Sequence, residues 1–332
     1  MSSRSAREVY RLSLNENLFL PRELVSGVVK KAADLVDPRF YSQPLGEELA
    51  ERLAEFHGVE PSEIVVGAGA DHLIYLTAHY GRERGAAIVE PTFEEYARAL
   101  KLSGAPYVGV RLSEDFQLDL DELQRVEAEL LYLASPNNPT ANQFDREAVL
   151  EAARRFRVVV LDEAYAEYAR YTMIREAPSR DNLIVVRTFS KAWGLAGLRV
   201  GYAVANRSLA SQLRERGPVY ACSSLSLKAA ELMLDHWGEV RRAVEELKSV
   251  REWMREKLSE LPVKVYPSDT NFLLVRLPAD SARVREELLE KGFSVKDVGH
   301  APLLANCIRV TVPPKPVAEA FIEALREVLE GM

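Results

Sequence analysis

Lys191 carries the most chemistry in its surroundings of any residue in this sequence. It sits in Thr188-Phe189-Ser190-Lys191-Ala192-Trp193-Gly194-Leu195-Ala196-Gly197-Leu198-Arg199, just after the apolar run 183–186. Small and apolar neighbours disfavour an ammonium, and a lysine held as free amine can condense with an aldehyde to an imine. Hydroxyls at Thr188 and Ser190 and the cation of Arg199 suit a phosphate. A surface lysine whose stem lies along apolar neighbours beside a glycine-containing loop has the same local pattern.

Four other segments bear on that choice. Ser135-Pro136-Asn137-Asn138-Pro139-Thr140 ends an apolar run, at the carboxyl edge where open α/β sheets bind ligands. Asn138 there can present a fixed donor to a phenolate oxygen, although Asn and Pro also make ordinary turns. In Leu161-Asp162-Glu163-Ala164-Tyr165, a carboxylate at Asp162 can keep a pyridine nitrogen protonated, which makes the ring an electron sink. Tyr165 can then reach the ring oxygen, while a helix cap is the plainer role for Asp162. Gly67-Ala68-Gly69-Ala70-Asp71 joins a strand to a helix, and its small residues let backbone N–H groups approach a phosphate. Its glycines do not match G-x-G-x-x-G. Pro91-Thr92-Phe93-Glu94-Glu95-Tyr96 offers two aromatics, either stacking on a flat ring or filling core.

The order is phosphate loop, aromatic, Asn-Pro, Asp-x-x-Tyr, Ser-Lys, then Arg199, and in this order the chain resembles the fold-type I aminotransferases from Leu14-Asn15-Glu16-Asn17 to Arg309. The resemblance implies pyridoxal 5′-phosphate carried as a Schiff base on Lys191, with Asp162 on the pyridine nitrogen. It places Asn138 and Tyr165 at the ring oxygen and Phe93 against the ring. Ala70, Asp71, Ser190 and Arg199 would surround the phosphate, with Thr188 nearby. Arg309, in Cys307-Ile308-Arg309-Val310-Thr311-Val312, resembles the family's arginine that grips a substrate carboxylate with both prongs.

Within the family, Leu14-Asn15-Glu16-Asn17 and the Leu-Ala-Gly-Leu-Arg ending at Arg199 are similar to the histidinol-phosphate branch. This implies transamination between histidinol phosphate and 2-oxoglutarate in histidine biosynthesis, with Asn15 at the substrate. It also implies a homodimer in which Tyr41 reaches the cofactor phosphate of the neighbouring subunit. Ser42 departs from the usual Tyr-Pro there, and Ala141 replaces the glycine that commonly follows Asn-Pro-Thr. Lys296 stands where the branch carries an arginine for the substrate phosphate; it keeps the charge and loses the fork. The run 91–100 also resembles threonine-phosphate decarboxylases of the same fold, and a general or aromatic aminotransferase is a further alternative. A transcription regulator with an aminotransferase-like domain would need a helix-turn-helix ahead of it, and none is expected here.

These residues need strands to carry them. Apolar runs at 64–66, 86–89, 130–133, 158–161 and 183–186 suit strands covered on both faces. Amphipathic stretches at 45–56, 94–102 and 146–156 alternate with them, the last behind Asp145 as a plausible N-cap. The rhythm predicts an α/β fold with a mostly parallel sheet, and the resemblance implies that the sheet is of the seven-stranded type, flanked by helices. Beyond 225 the expected elements are a long helix over 226–261, strands at 271–275 and 307–312, and helices at 281–289 and 317–329. They read as a small α+β C-terminal domain. The expected division is an arm at 1–25, a large cofactor-binding domain at 26–225 and the small domain at 226–332.

With 332 residues, 47% of them hydrophobic, the chain is long enough for a large buried core. A net charge of −7 and no basic stripe argue against a nucleic-acid surface. No apolar run approaches the ~18 residues of a membrane span, and 1–5 is polar, unlike a signal peptide. Two distant cysteines and five scattered histidines predict a reduced, cytoplasmic protein without a metal site. The resemblance implies that its partners are a small amino donor and a 2-oxo acid.

Overall fold

A computed structural model describes residues 9–332. The polar start at 1–5 and the first part of the expected arm lie outside the described residues. Seven strands form the main sheet: β1 (Ile64–Gly67), β2 (Ala86–Glu90), β3 (Tyr107–Arg111), β4 (Leu130–Ala134), β5 (Val158–Asp162), β6 (Leu183–Thr188) and β7 (Gly201–Val204). Their spatial order is β1-β7-β6-β5-β4-β2-β3. All neighbours run parallel except β7, which is antiparallel to both β1 and β6. Every residue of β4 to β7 is buried, as unbroken apolar strands between two helical layers must be.

This topology positions the site. Strands β1, β2, β4, β5 and β6 all end at one edge of the sheet, and reversed β7 begins there. The glycine loop, Pro91–Phe93, the Asn-Pro turn, Asp162–Tyr165 and the lysine loop therefore emerge side by side. The reversal of β7 brings Arg199, two residues before its start, back to the same edge.

A second sheet is antiparallel, with β8 (Lys264–Val265), β9 (Phe272–Arg276), β10 (Lys296–Asp297) and β11 (Cys307–Thr311) in the order β10-β11-β9-β8. Helices Ser281–Glu290 and Lys315–Glu330 match the expected ones closely. The expected 226–261 helix is two helices, Ser224–Leu234 and Trp237–Leu258. Its halves bury against different neighbours. Ser224–Leu234 packs on helices Arg22–Leu35 and Glu47–His57, whereas Trp237–Leu258 packs on Lys315–Glu330 and β9. Ser223 caps the first by accepting from the Ser226 N–H at 3.1 Å. Asp145 occupies an N-cap position, but its side chain makes no cap bond.

The N-terminal segment ties the sheets together. Tyr10–Arg11 pairs in parallel with Phe293–Ser294. Asn17 Nδ2 donates to the carbonyl of Ala192, the residue directly after Lys191, at 2.7 Å. No helix among the described residues is long and apolar enough to cross a membrane.

Candidate active site

The converging loops enclose a cavity of about 220 Å³. Lys191 is the only lysine lining it among the described residues, and its Nζ donates to the Leu14 carbonyl at 3.0 Å. Its Nζ lies 5.7 Å from the centre of the Tyr165 ring.

At the end of β5, Asp162 accepts at both oxygens: Oδ2 from the Tyr96 hydroxyl at 2.8 Å and Oδ1 from the Ala164 N–H at 3.0 Å. Burial pushes this carboxyl up to about 6, against the pull of those two hydrogen bonds. At neutral pH Asp162 is therefore mostly ionised, a buried anion facing the cavity. The Tyr165 hydroxyl accepts from Asn15 Nδ2 at 2.8 Å, which leaves its own proton to donate.

Asn15 has φ +56, uncommon for a residue with a Cβ. Four contacts hold it there. Its N–H donates to Thr311 Oγ1 (2.9 Å), its carbonyl accepts from Asn271 Nδ2 (2.8 Å), and its amide meets Tyr165 and Thr311 Oγ1 (3.2 Å).

Helix Gly69–Thr77 starts with Ala70 and Asp71 on the cavity wall, so its first N–H groups are available to an anion. Arg199 reaches Asp71 Oδ2 at 2.8 Å and Ser190 Oγ at 3.1 Å. A Cβ on Gly69 would lie 2.5 Å from Arg199 Nη2, and its φ is +83, so only glycine fits this cradle. Thr188 Oγ1 accepts from the Ser190 N–H at 3.1 Å and shapes the loop.

On the second sheet, Arg309 is buried and its fork is met only by neutral groups: Nη1 donates to Asn138 Oδ1 at 2.5 Å, Nη2 to the Ser13 carbonyl. Its Nε has no partner among the described residues. Burial pulls its pKa down from the ordinary arginine value, with Tyr165 and Glu94 opposing. A buried cation without a carboxylate is costly unless an anion completes it.

Phe93 also lines the cavity, edge-on to Tyr96 at 5.7 Å. The cavity thus gathers Ala70, Asp71, Phe93, Asn138, Asp162 and Tyr165 with Thr188, Ser190, Lys191, Arg199, Arg309 and Asn15. Two expected residues are elsewhere. Lys296 is exposed on β10, paired in register with Arg309, and does not line the cavity. Tyr41 is 83% exposed and stacks on Tyr220 at 4.8 Å, away from its own chain's cavity. A phosphate at Gly69–Asp71 and a heteroaromatic nitrogen at Asp162 would share this space, with Lys191 following β6, which lies between the strands that carry them.

The profile of the family described as aminotransferase class I and II matches residues 7–325. The chain belongs to that family. This aminotransferase is 36% identical over 331 residues to a histidinol-phosphate aminotransferase of Thermoanaerobacter pseudethanolicus, covering 96% of this chain and 93% of the relative. It is 36% identical over 324 residues to one of Thermococcus gammatolerans, covering 97% and 92%. Among solved structures, it superposes on histidinol-phosphate aminotransferase from Sinorhizobium meliloti in complex with pyridoxal-5′-phosphate at TM-score 0.89, with 27% identity, covering 98% of this chain and 91% of that one. L-threonine-O-3-phosphate decarboxylase from Porphyromonas gingivalis superposes at TM-score 0.86, with 25% identity and coverage of 97% and 100%.

A buried charge cluster that no motif marks lies behind the site of this aminotransferase. Arg187 pairs with Glu163 Oε2 and Glu167 Oε1, each at 3.0 Å. The signal was present: Arg187 follows directly on the apolar run Leu183-Ile184-Val185-Val186, and a buried charge needs a partner. Asn271 and Thr311, which hold Asn15, had no such signal, because their relation to it is set by tertiary contact alone.

Proposed function

We propose that this chain works as a homodimer that moves the amino group between histidinol phosphate and 2-oxoglutarate. The observation that carries the reading is Arg309, a buried fork with no carboxylate partner among the described residues, opening on the cavity that holds Lys191 and Asp162. The cofactor is pyridoxal 5′-phosphate. The residues present fit it: a glycine-only cradle at Gly69 for its phosphate and a buried carboxylate at Asp162 for its ring nitrogen. When bound, pyridoxal phosphate supplies an aldehyde that takes up the amino group and a ring that absorbs carbanion charge.

The chain's own residues do the rest. Ala70 and Asp71 N–H groups, Ser190 Oγ and Arg199 bind the phosphate, and Thr188 shapes the turn that presents Ser190. Asp162 holds the ring nitrogen protonated. Asn138 and Tyr165 orient the ring oxygen, and Phe93 covers the ring face. Lys191 Nζ takes a proton from the amine-bearing carbon of the substrate and returns it on the other side of the transfer. Arg309 grips the glutamate carboxylate in one half-reaction and the anionic end of the other substrate in the second. Asn15 lines the substrate side. Lys296, on the strand beside Arg309, supplies charge for the substrate phosphate. Residues 26–225 carry the cofactor groups and 226–332 carry Arg309, with 1–25 as an arm and helix Ser224–Leu234 straddling the border. Two free buried cysteines agree with a cytoplasmic setting.

A substrate panel tests the reading. Histidinol phosphate with 2-oxoglutarate is expected to yield glutamate with kcat/KM at least roughly tenfold above threonine phosphate or aromatic amino acids. Arg309→Leu raises the KM for 2-oxoglutarate by about 100-fold with cofactor content unchanged. Carbon dioxide released from threonine phosphate, without glutamate from histidinol phosphate, would assign the decarboxylase chemistry instead.

Support for the homodimer is an exposed apolar patch with Phe40 70%, Tyr41 83% and Tyr220 49% exposed. In the dimer Tyr41 reaches the partner's cofactor phosphate. Mixing Tyr41→Phe protein with inactive Lys191→Ala protein under subunit exchange is then expected to raise activity above the unmixed sum, because one site regains both residues. No gain from verified heterodimers would remove Tyr41 from the neighbouring site.

A further inference from the structure

Asp162 is held by a residue with no role in the chemistry above. Tyr96 leaves the first turn of helix Glu95–Ser103 and is completely buried. Its ring lies parallel to Tyr132 at 4.9 Å, with an interplanar angle of 4°, and edge-on to Phe93. Packed this tightly, its hydroxyl meets Asp162 Oδ2 at 2.8 Å. With the Ala164 N–H on Oδ1, each carboxylate oxygen has one donor, so the plane of the carboxylate is defined from two sides. The Tyr132 hydroxyl, equally buried, donates to the Ile74 carbonyl at 3.0 Å and does not take part.

We propose that Tyr96 is a positioning residue: its hydroxyl keeps Asp162 ionised and aimed at the cofactor's ring nitrogen. The proposal rests on the assignment of Asp162 to that nitrogen. The groups acting on Asp162 are few. Burial pushes it up to about 6, Tyr96 and Ala164 pull it down, the Asp71 carboxylate pushes it up and Lys191 pulls it down. A hydrogen bond to the charged form is what keeps a buried carboxyl ionised near neutrality. Without the phenol the carboxyl gains a proton in the working pH range, and one of its oxygens is free to turn.

The test uses apoprotein and cofactor binding. Tyr96→Phe deletes only the hydroxyl; Tyr132→Phe deletes a neighbouring buried hydroxyl that does not touch Asp162. In apoprotein labelled with ¹³C at aspartate carboxyls, the Asp162 signal is identified by its absence in Asp162→Asn. Its titration midpoint is expected to rise by about one pH unit in Tyr96→Phe and to stay put in Tyr132→Phe. The acid limb of the pyridoxal phosphate dissociation constant moves up with it. 3-Fluorotyrosine at position 96, a stronger donor of nearly equal size, moves the midpoint the opposite way and decides the matter should Tyr96→Phe not fold. An unmoved midpoint in the folded variant overturns the proposal. Wild-type cofactor affinity and pH dependence in Asp162→Asn would instead remove Asp162 from the ring nitrogen, an outcome separate from the apoprotein titration.

Discussion

Replacing Lys191 by alanine is expected to lower the rate of amino-group transfer on the order of 10⁴-fold or more, with the fold intact. The size follows from the wall of the cavity, where no second lysine among the described residues stands to replace the lost amine. Nor is Lys191 part of the protein's framework: its Nζ has one hydrogen bond, to the Leu14 carbonyl at 3.0 Å. Thermal stability of the apoprotein should therefore change little. Lys191→Arg restores a cation and is expected to be as inactive as alanine, because a guanidinium does not condense with an aldehyde or exchange a proton near neutral pH. Single-turnover release of 2-oxoglutarate from glutamate, followed with the absorbance of bound cofactor, reads both effects. Turnover retained within tenfold in the alanine variant would show that another group moves the proton.

The second large effect is on stability. Arg187→Met is expected to destabilise the protein by about 3–5 kcal/mol, since it leaves two buried carboxylates without their counter-charge. The side chains of Arg187, Glu163 and Glu167 are 8%, 1% and 3% exposed. Glu163 also accepts from the Met173 N–H at 2.7 Å, and Glu167 from Trp193 Nε1 at 3.0 Å. Those bonds cannot neutralise either carboxylate once the guanidinium is gone. Glu163→Gln, which leaves one ion pair and keeps the hydrogen-bonding shape, should cost less. Urea denaturation of the apoprotein measures the difference, and a loss under about 1 kcal/mol would mean that water or protonation relieves the cluster. The cluster matters to the site because Glu163 follows Asp162, Arg187 precedes Thr188, and Trp193 lies two residues beyond Lys191. It clamps from behind the same segments that present the active-site groups in front.

The sequence was informative wherever one local pattern carried both structure and chemistry. Strands β4, β5 and β6 are buried on both faces, so they read as unbroken apolar runs, and their ends mark Asn138, Asp162 and Lys191. Edge strand β3 is largely exposed, so Tyr107-Val108-Gly109-Val110-Arg111 offers no such run. Strand β7 opens on Gly201 directly behind the lysine motif and was hidden by it. Its reversed direction, which returns Arg199 to the site, is a property of sheet order that no local pattern encodes. The break at Asp235-His236 was equally invisible: both halves are good helix, and only the neighbours they bury against differ. Tyr96 is legible as an aromatic, but its bond to Asp162 follows from the meeting of helix Glu95–Ser103 with the end of β5.

Asn15 is fixed by Tyr165, Asn271 and Thr311, and Arg309 by Asn138 and the Ser13 carbonyl. The active site therefore joins almost the first and almost the last described segments of the polypeptide. During synthesis the large sheet can be complete once β7 has left the ribosome, while the strand bearing Arg309 and Thr311 does not yet exist. Until then the chain holds its glycine loop and its lysine but not the buried guanidinium that lines the same cavity. With Arg309 in its proposed role, amino-group transfer is expected only of the finished chain.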